Sequence, residues 1–126
     1  MNMMQCSRVM DVAFVHLRGI HTLNMVGCDQ ATITDAAFMH LREIQELNMS
    51  CCDQVTITDA AFEQLCGIQI IFMTECSRNT ITDAAFEHLQ GIRKLDICEC
   101  NQETITDAAF GPRAISAGLA YLVAIR

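Results

Sequence analysis

The chain has 126 residues, enough for one domain of ordinary size, and 52% of them are apolar, so burial does not limit folding. Its net charge is −7 and it has no cluster of lysine and arginine, which disfavours nucleic acid and anionic membrane surfaces as partners. One tyrosine and no tryptophan argue against an aromatic-rich binding surface.

Met1 to Met10 lacks the basic start and apolar run of a signal peptide. No stretch approaches the roughly 20 apolar residues that cross a bilayer. Eight cysteines in this setting read as reduced thiols, and a cytoplasmic location is expected.

From its first residue the chain follows a fixed count. Met1 stands 24 residues before Met25, at a buried strand position, so the chain is expected to begin inside a strand. A degenerate hexapeptide runs from Val9 to Phe14, and Ile-Thr-Asp-Ala-Ala-Phe then begins at Ile33, Ile57, Ile81 and Ile105. A constant period of this size marks a stack of units, each of which buries its apolar face only against its neighbours.

The first full pattern between hexapeptides is Ile20-x-x-Leu23-x-Met25-x-x-Cys28. It returns at Ile44, Leu47, Met49 and Cys52, at Ile68, Ile71, Met73 and Cys76, and at Ile92, Leu95, Ile97 and Cys100. Alternation such as Leu23-x-Met25 predicts a strand with one buried face. In each hexapeptide the threonine, as at Thr34, is placed to cap a helix, and Asp35 lies where the helix dipole favours negative charge. Ala37, Phe38, Leu41 and Ile44 continue an apolar stripe, which predicts a helix reaching towards the next strand. Gly19, Gly67 and Gly91 mark its expected left-handed end, with Glu43 in that place in one repeat.

The run Cys-x-x-x-x-Ile-Thr-Asp-x-x-Phe-x-x-Leu resembles the cysteine-containing subtype of leucine-rich repeat, familiar from F-box leucine-rich repeat proteins, the substrate receptors of ubiquitin ligases, and resembles equally the repeats of many bacterial and protist proteins that carry Ile/Leu-Thr-Asp-Ala. The match covers residues 9 to 110 and includes no F-box. The resemblance implies an α/β fold, a right-handed β-α solenoid with a parallel sheet on its concave face and short helices on its convex face. Residues 1–126 would form one domain of about five repeats, the first and last incomplete. After Phe110 the sequence Gly111-Pro112-Arg113 breaks the pattern, and Leu119 and Tyr121 fall in the register of Leu95 and Ile97, predicting a last strand over 118–123. Neither end carries a polar cap, which suggests a piece of a longer array or pairing with a second copy through the terminal repeats.

Three columns of residues carry possible chemistry. The cysteine column reads as small buried side chains whose S–H reaches a backbone carbonyl, and Cys51, Cys66 and Cys98, outside it, as the more reactive thiols. Asp11, Asp35, Asp59, Asp83 and Asp107 read as helix-start electrostatics in preference to calcium ligands, which here lack the glycine and alternating oxygens of a calcium loop. His16, His40 and His88 read as solvent-facing. No metal or cofactor is expected, and no catalytic constellation is present, so the chain is not read as an enzyme.

The strand positions that point away from the core hold Thr22, Asn24 and Val26, then Glu46, Asn48 and Ser50, then Ile70, Phe72 and Thr74, then Lys94, Asp96 and Cys98. Arg93 stands just before the last group. These columns vary while the core columns hardly change. A protein partner is therefore expected at Glu46, Asn48, Ile70, Phe72, Arg93, Lys94 and Asp96. The apolar pair Ile70 and Phe72 reads either as a binding hot spot or as surface covered by a second copy.

Overall fold

A computed structural model describes residues 10–28, 32–53, 55–76, 80–89 and 92–97, and the backbone of 121–123. The elements alternate as the sequence pattern requires. A 3₁₀ helix, Asp11–Leu17, leads to β1 (Thr22–Asn24), α1 (Asp35–Phe38) and β2 (Glu46–Asn48). Then come α2 (Asp59–Phe62), a 3₁₀ turn (Glu63–Leu65), β3 (Ile70–Phe72), α3 (Asp83–Phe86), β4 (Lys94–Asp96) and β5 (Tyr121–Val123).

The strands form one parallel sheet in chain order. Leu23, Leu47, Ile71 and Leu95 face one another across β1 to β4, each one period on from the last. The last strand departs from this count. Leu95 pairs with Leu122, not Leu119, and β5 starts at Tyr121 instead of residue 118. Register is set by backbone pairing with β4, and lengthening a connection by a few residues costs little closure entropy. The count fails across the segment where the sequence itself departs from the repeat at Gly111.

The helices are shorter than expected. Each α-helix holds only Asp-Ala-Ala-Phe. Beyond Phe38 the chain closes three-residue turns, with Leu41 N–H donating to Phe38 O at 2.9 Å and Ile44 N–H to Leu41 O at 3.2 Å. The same turns link Phe86, Leu89 and Ile92 at 3.2 and 3.1 Å. The reason is the spacing of the apolar residues. Phe38, Leu41 and Ile44 recur every third residue, which lines up in a 3₁₀ path and drifts off one face in an α-helix.

The core is a set of columns. Phe14, Phe38 and Phe62 are fully buried, as are Ile33, Ile57 and Ile81, and Met25, Met49 and Met73. The rings of Phe62 and Phe86 meet at 6.1 Å with their planes tilted by 55°. Burying one such side chain stabilises by roughly 1.5–3 kcal/mol. That exceeds the contribution of about 1 kcal/mol from a helix cap, so stacking decides the fold.

Polar bonds tie the repeats together on the side away from the sheet. Asp11 accepts from the Thr34 N–H at 2.6 Å and from the Thr34 hydroxyl at 2.5 Å. Asp35 holds Thr58 in the same way, at 2.6 Å for both bonds, and Asp59 holds Thr82 at 2.7 and 2.5 Å. The threonine hydroxyl also accepts from its own helix, Ala36 N–H to Thr34 Oγ1 at 3.2 Å, which is the expected cap. Thr56 and Thr80 donate to the carbonyls of Ile33 and Ile57 at 2.7 and 2.6 Å. Asp11, Asp35 and Asp59 are thus staples between successive repeats.

Among the glycines expected to be left-handed, Gly19 is so, with φ +83°, whereas Gly67 is absent from the positive-φ residues and Gly91 lies outside the described residues. A second left-handed position recurs one period apart, just after β1, β2 and β3, at Gly27, Cys51 and Glu75, with φ 75°, 59° and 57°. A side chain in this conformation costs about 1–2 kcal/mol.

Two outcomes are expected in urea unfolding. Asp59→Ala should lower stability by about 2 kcal/mol, because it leaves the Thr82 N–H without its charged acceptor. Glu75→Gly should raise stability by about 1 kcal/mol, because glycine adopts the same backbone without strain.

Candidate functional site

The outward face of the sheet is built by a departure from strict alternation. The Gln45 and Glu46 amides both donate to His21 O, at 2.8 and 2.9 Å. Gln69 and Ile70 share Gln45 O in the same way, and Arg93 and Lys94 share Gln69 O. Two consecutive amides on one carbonyl place two residues per repeat opposite one on the preceding strand, as in a bulge. The exposed Arg93 therefore sits at the entry to β4, directly before Lys94.

Two rows cross the strands on this face. One runs Thr22, Glu46, Ile70, Lys94, and the other runs Asn24, Asn48, Phe72, Asp96. Neighbouring strands lie about 4.8 Å apart, so Ile70 and Phe72 form an apolar centre with Glu46 one strand to one side and Lys94 one strand to the other. The pair is half-buried, less open than the sequence suggested. Lys94 reaches across, its Nζ 4.8 Å from the centre of the Phe72 ring, a cation–π contact that holds the ring in place.

Ser50 corrects the expected surface. It is only 6% exposed and does not offer its side chain to a partner. In the first two repeats Asn24 and Asn48 accept from Val26 N–H and Ser50 N–H, both at 3.1 Å, and so close the turn after the strand. Phe72 stands in the asparagine column and cannot do this. The Ser50 hydroxyl of the preceding repeat accepts from Thr74 N–H instead, at 3.0 Å. An aromatic side chain on the face is thereby made compatible with a satisfied backbone. The sequence signal for this is the coincidence of Ser50 with the junction where the asparagine column holds a residue that cannot accept, Phe72.

The cysteine column is buried as expected. Cys28, Cys52 and Cys76 are fully enclosed, with the Cys52 thiol donating to Met25 O at 3.0 Å and the Cys76 thiol to Met49 O at 3.2 Å. Cys66 is exposed and donates to Glu63 O at 3.1 Å. Cys51 is half-buried, and burial, followed by the charges of Glu75, Cys76 and Asp53, pushes its thiol above the usual range. It is more open than the buried column, as the sequence suggested, and less open than Cys66. Cys98 and Cys100 lie outside the described residues.

His16 is exposed, and His40 and His88 are half-buried. Among the described residues no three of the histidines, cysteines and acidic residues converge as metal ligands, and no helix is long and apolar enough to cross a membrane.

No protein-family model matches the chain, and no curated protein matches its sequence. Among solved structures, the fold is similar to that in a crystal structure of a TLR13–ssRNA13 complex, with a TM-score of 0.65 and 19% identity over 91% of this chain. The chain spans 16% of the TLR13 chain. At that identity the likeness concerns fold alone.

A raised pKa leaves less thiolate at any given pH. Iodoacetamide near pH 8 should therefore alkylate Cys66 well before Cys51, read by peptide mass spectrometry. Faster labelling of Cys51 would contradict the burial described here. TLR13 is a leucine-rich repeat protein, and at the level of fold this α/β array of parallel strands and short helices is of the leucine-rich repeat kind.

Proposed function

We propose that the chain is a protein-binding module: a right-handed leucine-rich repeat solenoid that engages its partner through the concave sheet face. The carrying observation is the half-buried apolar pair Ile70 and Phe72, placed by strand register between Glu46 and Lys94 on an otherwise polar face. Aromatic side chains held in a fixed pose give much contact area at little entropic cost, and such residues dominate interface energies. Asn48, Arg93 and Asp96 form the polar rim of this reading. A partner would carry an apolar anchor over Phe72, a cation towards Glu46 and an anion towards Arg93 and Lys94.

The reading assigns no catalytic role and no cofactor. It places the chain in the cytoplasm with its thiols reduced, in keeping with a repeat that resembles those of F-box substrate receptors. The single-stranded RNA named with TLR13 is not carried over, because a net charge of −7 repels a phosphate backbone.

Selection of binders from a displayed peptide library tests this directly. Phe72→Ala should weaken the selected binders by about 1 kcal/mol or more while leaving the fold intact, and Glu63→Ala, away from the sheet, should do nothing. Binders that ignore Phe72 would sink the reading. If the same face instead covers a second copy, light scattering will show a size that grows with concentration and falls with Phe72→Ala.

A further inference from the structure

A second feature breaks the repeat away from the sheet. At the helix-to-strand turns of adjoining repeats, Arg18, Gly19, Met39, His40, Arg42 and Glu43 line a cleft of about 290 Å³. Arg18 Nε–H donates to His40 Nδ1 at 3.2 Å, and Arg42 Nε–H donates to Gln64 Oε1 at 3.2 Å. Each bond holds a guanidinium by its Nε and leaves its terminal N–H groups for something else. Because His40 accepts at Nδ1, its ring proton lies on Nε2, which is a further donor. The acceptors His40 Nδ1 and Gln64 Oε1 are already used, so the cleft has a surplus of donors.

Among the described residues neither guanidinium has a carboxylate partner. Glu43 lines the same cleft, with its Oε2 3.6 Å from where a Cβ on Gly19 would stand. Gly19 takes the left-handed backbone at this turn, φ +83°, with the carboxylate beside it. Two guanidiniums against one carboxylate give the cleft a single positive charge, although the chain as a whole carries −7. The exposed Met39 supplies an apolar wall. The arrangement is confined to one junction, because the arginine column continues as Cys66 and the glycine column is interrupted only at Glu43.

We propose that this cleft binds a carboxylate monoanion attached to an apolar body. The carboxylate lies between the Arg18 and Arg42 guanidiniums, whose fork geometry matches it. The apolar body lies on Met39. Glu43 repels a second negative charge and so selects against phosphate dianions. The site is separate from Ile70 and Phe72, and its test is independent of them.

The test is an NMR titration of the whole ¹⁵N-labelled chain with benzoate, phenyl phosphate and benzylamine, following the Arg18 and Arg42 Nε–H signals. Benzoate should shift both signals, phenyl phosphate should bind more weakly, and benzylamine should do nothing. Arg18→Gln with Arg42→Gln should weaken benzoate by about tenfold or more, with the amide spectrum of the sheet unchanged. Arg18→Lys, which keeps the charge and loses the fork, should weaken it as well. Glu43→Gln should bring phenyl phosphate level with benzoate. No shift with benzoate, a benzoate affinity indifferent to the double substitution, or equal binding of phenyl phosphate by the native chain would each overturn the proposal.

Discussion

One repeat of this chain cannot enclose its own apolar side chains. Its strand has three residues and its helix one turn, so Leu47, Met49, Phe62 and Ile57 are covered only because identical positions lie above and below them. Vertical burial between neighbours is the constraint from which the rest follows. It demands that the same positions recur in each unit, so that Phe62 meets Phe86, while the spacing between units can lengthen, as it does from Leu95 to Leu122. It also demands that both sides of the stack satisfy their backbone from the next repeat. The sheet does this on one side. On the other, carboxylates reach forward to the threonine that opens the following helix, as Asp35 does to Thr58.

The staple gives the Ile-Thr-Asp sequence two tasks at once. Thr58 caps its own helix through Ala60 and is itself gripped by Asp35 of the preceding repeat. Its hydroxyl accepts in one bond and donates in the other, which only a hydroxyl side chain can do. The column is therefore uniform for a polar reason as strict as the apolar reason that keeps phenylalanine four residues later. The left-handed turn after β1, β2 and β3 is less demanding. It tolerates Cys51 and Glu75 where Gly27 fits best, since the stack fixes the backbone there and absorbs the strain.

With core and staples committed, variation is left to the outward strand positions and to the helix-to-strand turns. On the sheet, Phe72 enters a column of asparagines only because Ser50 takes over the lost hydrogen bond to Thr74. At the turns, Arg18 and Arg42 occupy one junction, each anchored to a side chain of the next repeat. Both departures follow one logic. A repeat can gain a surface feature when a neighbour supplies the missing bond, so each feature belongs to a junction and not to a single repeat.

The period, the core columns and the outward face can be read from the order of the amino acids alone. Apolar residues that recur at equal spacing have one arrangement in which all are buried, and Leu23, Leu47, Ile71 and Leu95 could be aligned by counting. The buried cysteines were legible for the same reason. Whatever depends on groups meeting across a junction emerges once the repeats are stacked. Asp11 reads as helix-start electrostatics along its own repeat, yet its partner is Thr34 of the next. Ser50 reads as an outward residue until Phe72 removes the acceptor that Thr74 needs. Cys51 reads as an available thiol, but its surroundings come from Glu75 and Cys76 one repeat on. The last strand slipped three residues because pairing with β4, not the count, sets its register. Burial is additive along a sequence and shows in a pattern, whereas hydrogen bonds and charges depend on distances that exist only once the repeats are stacked.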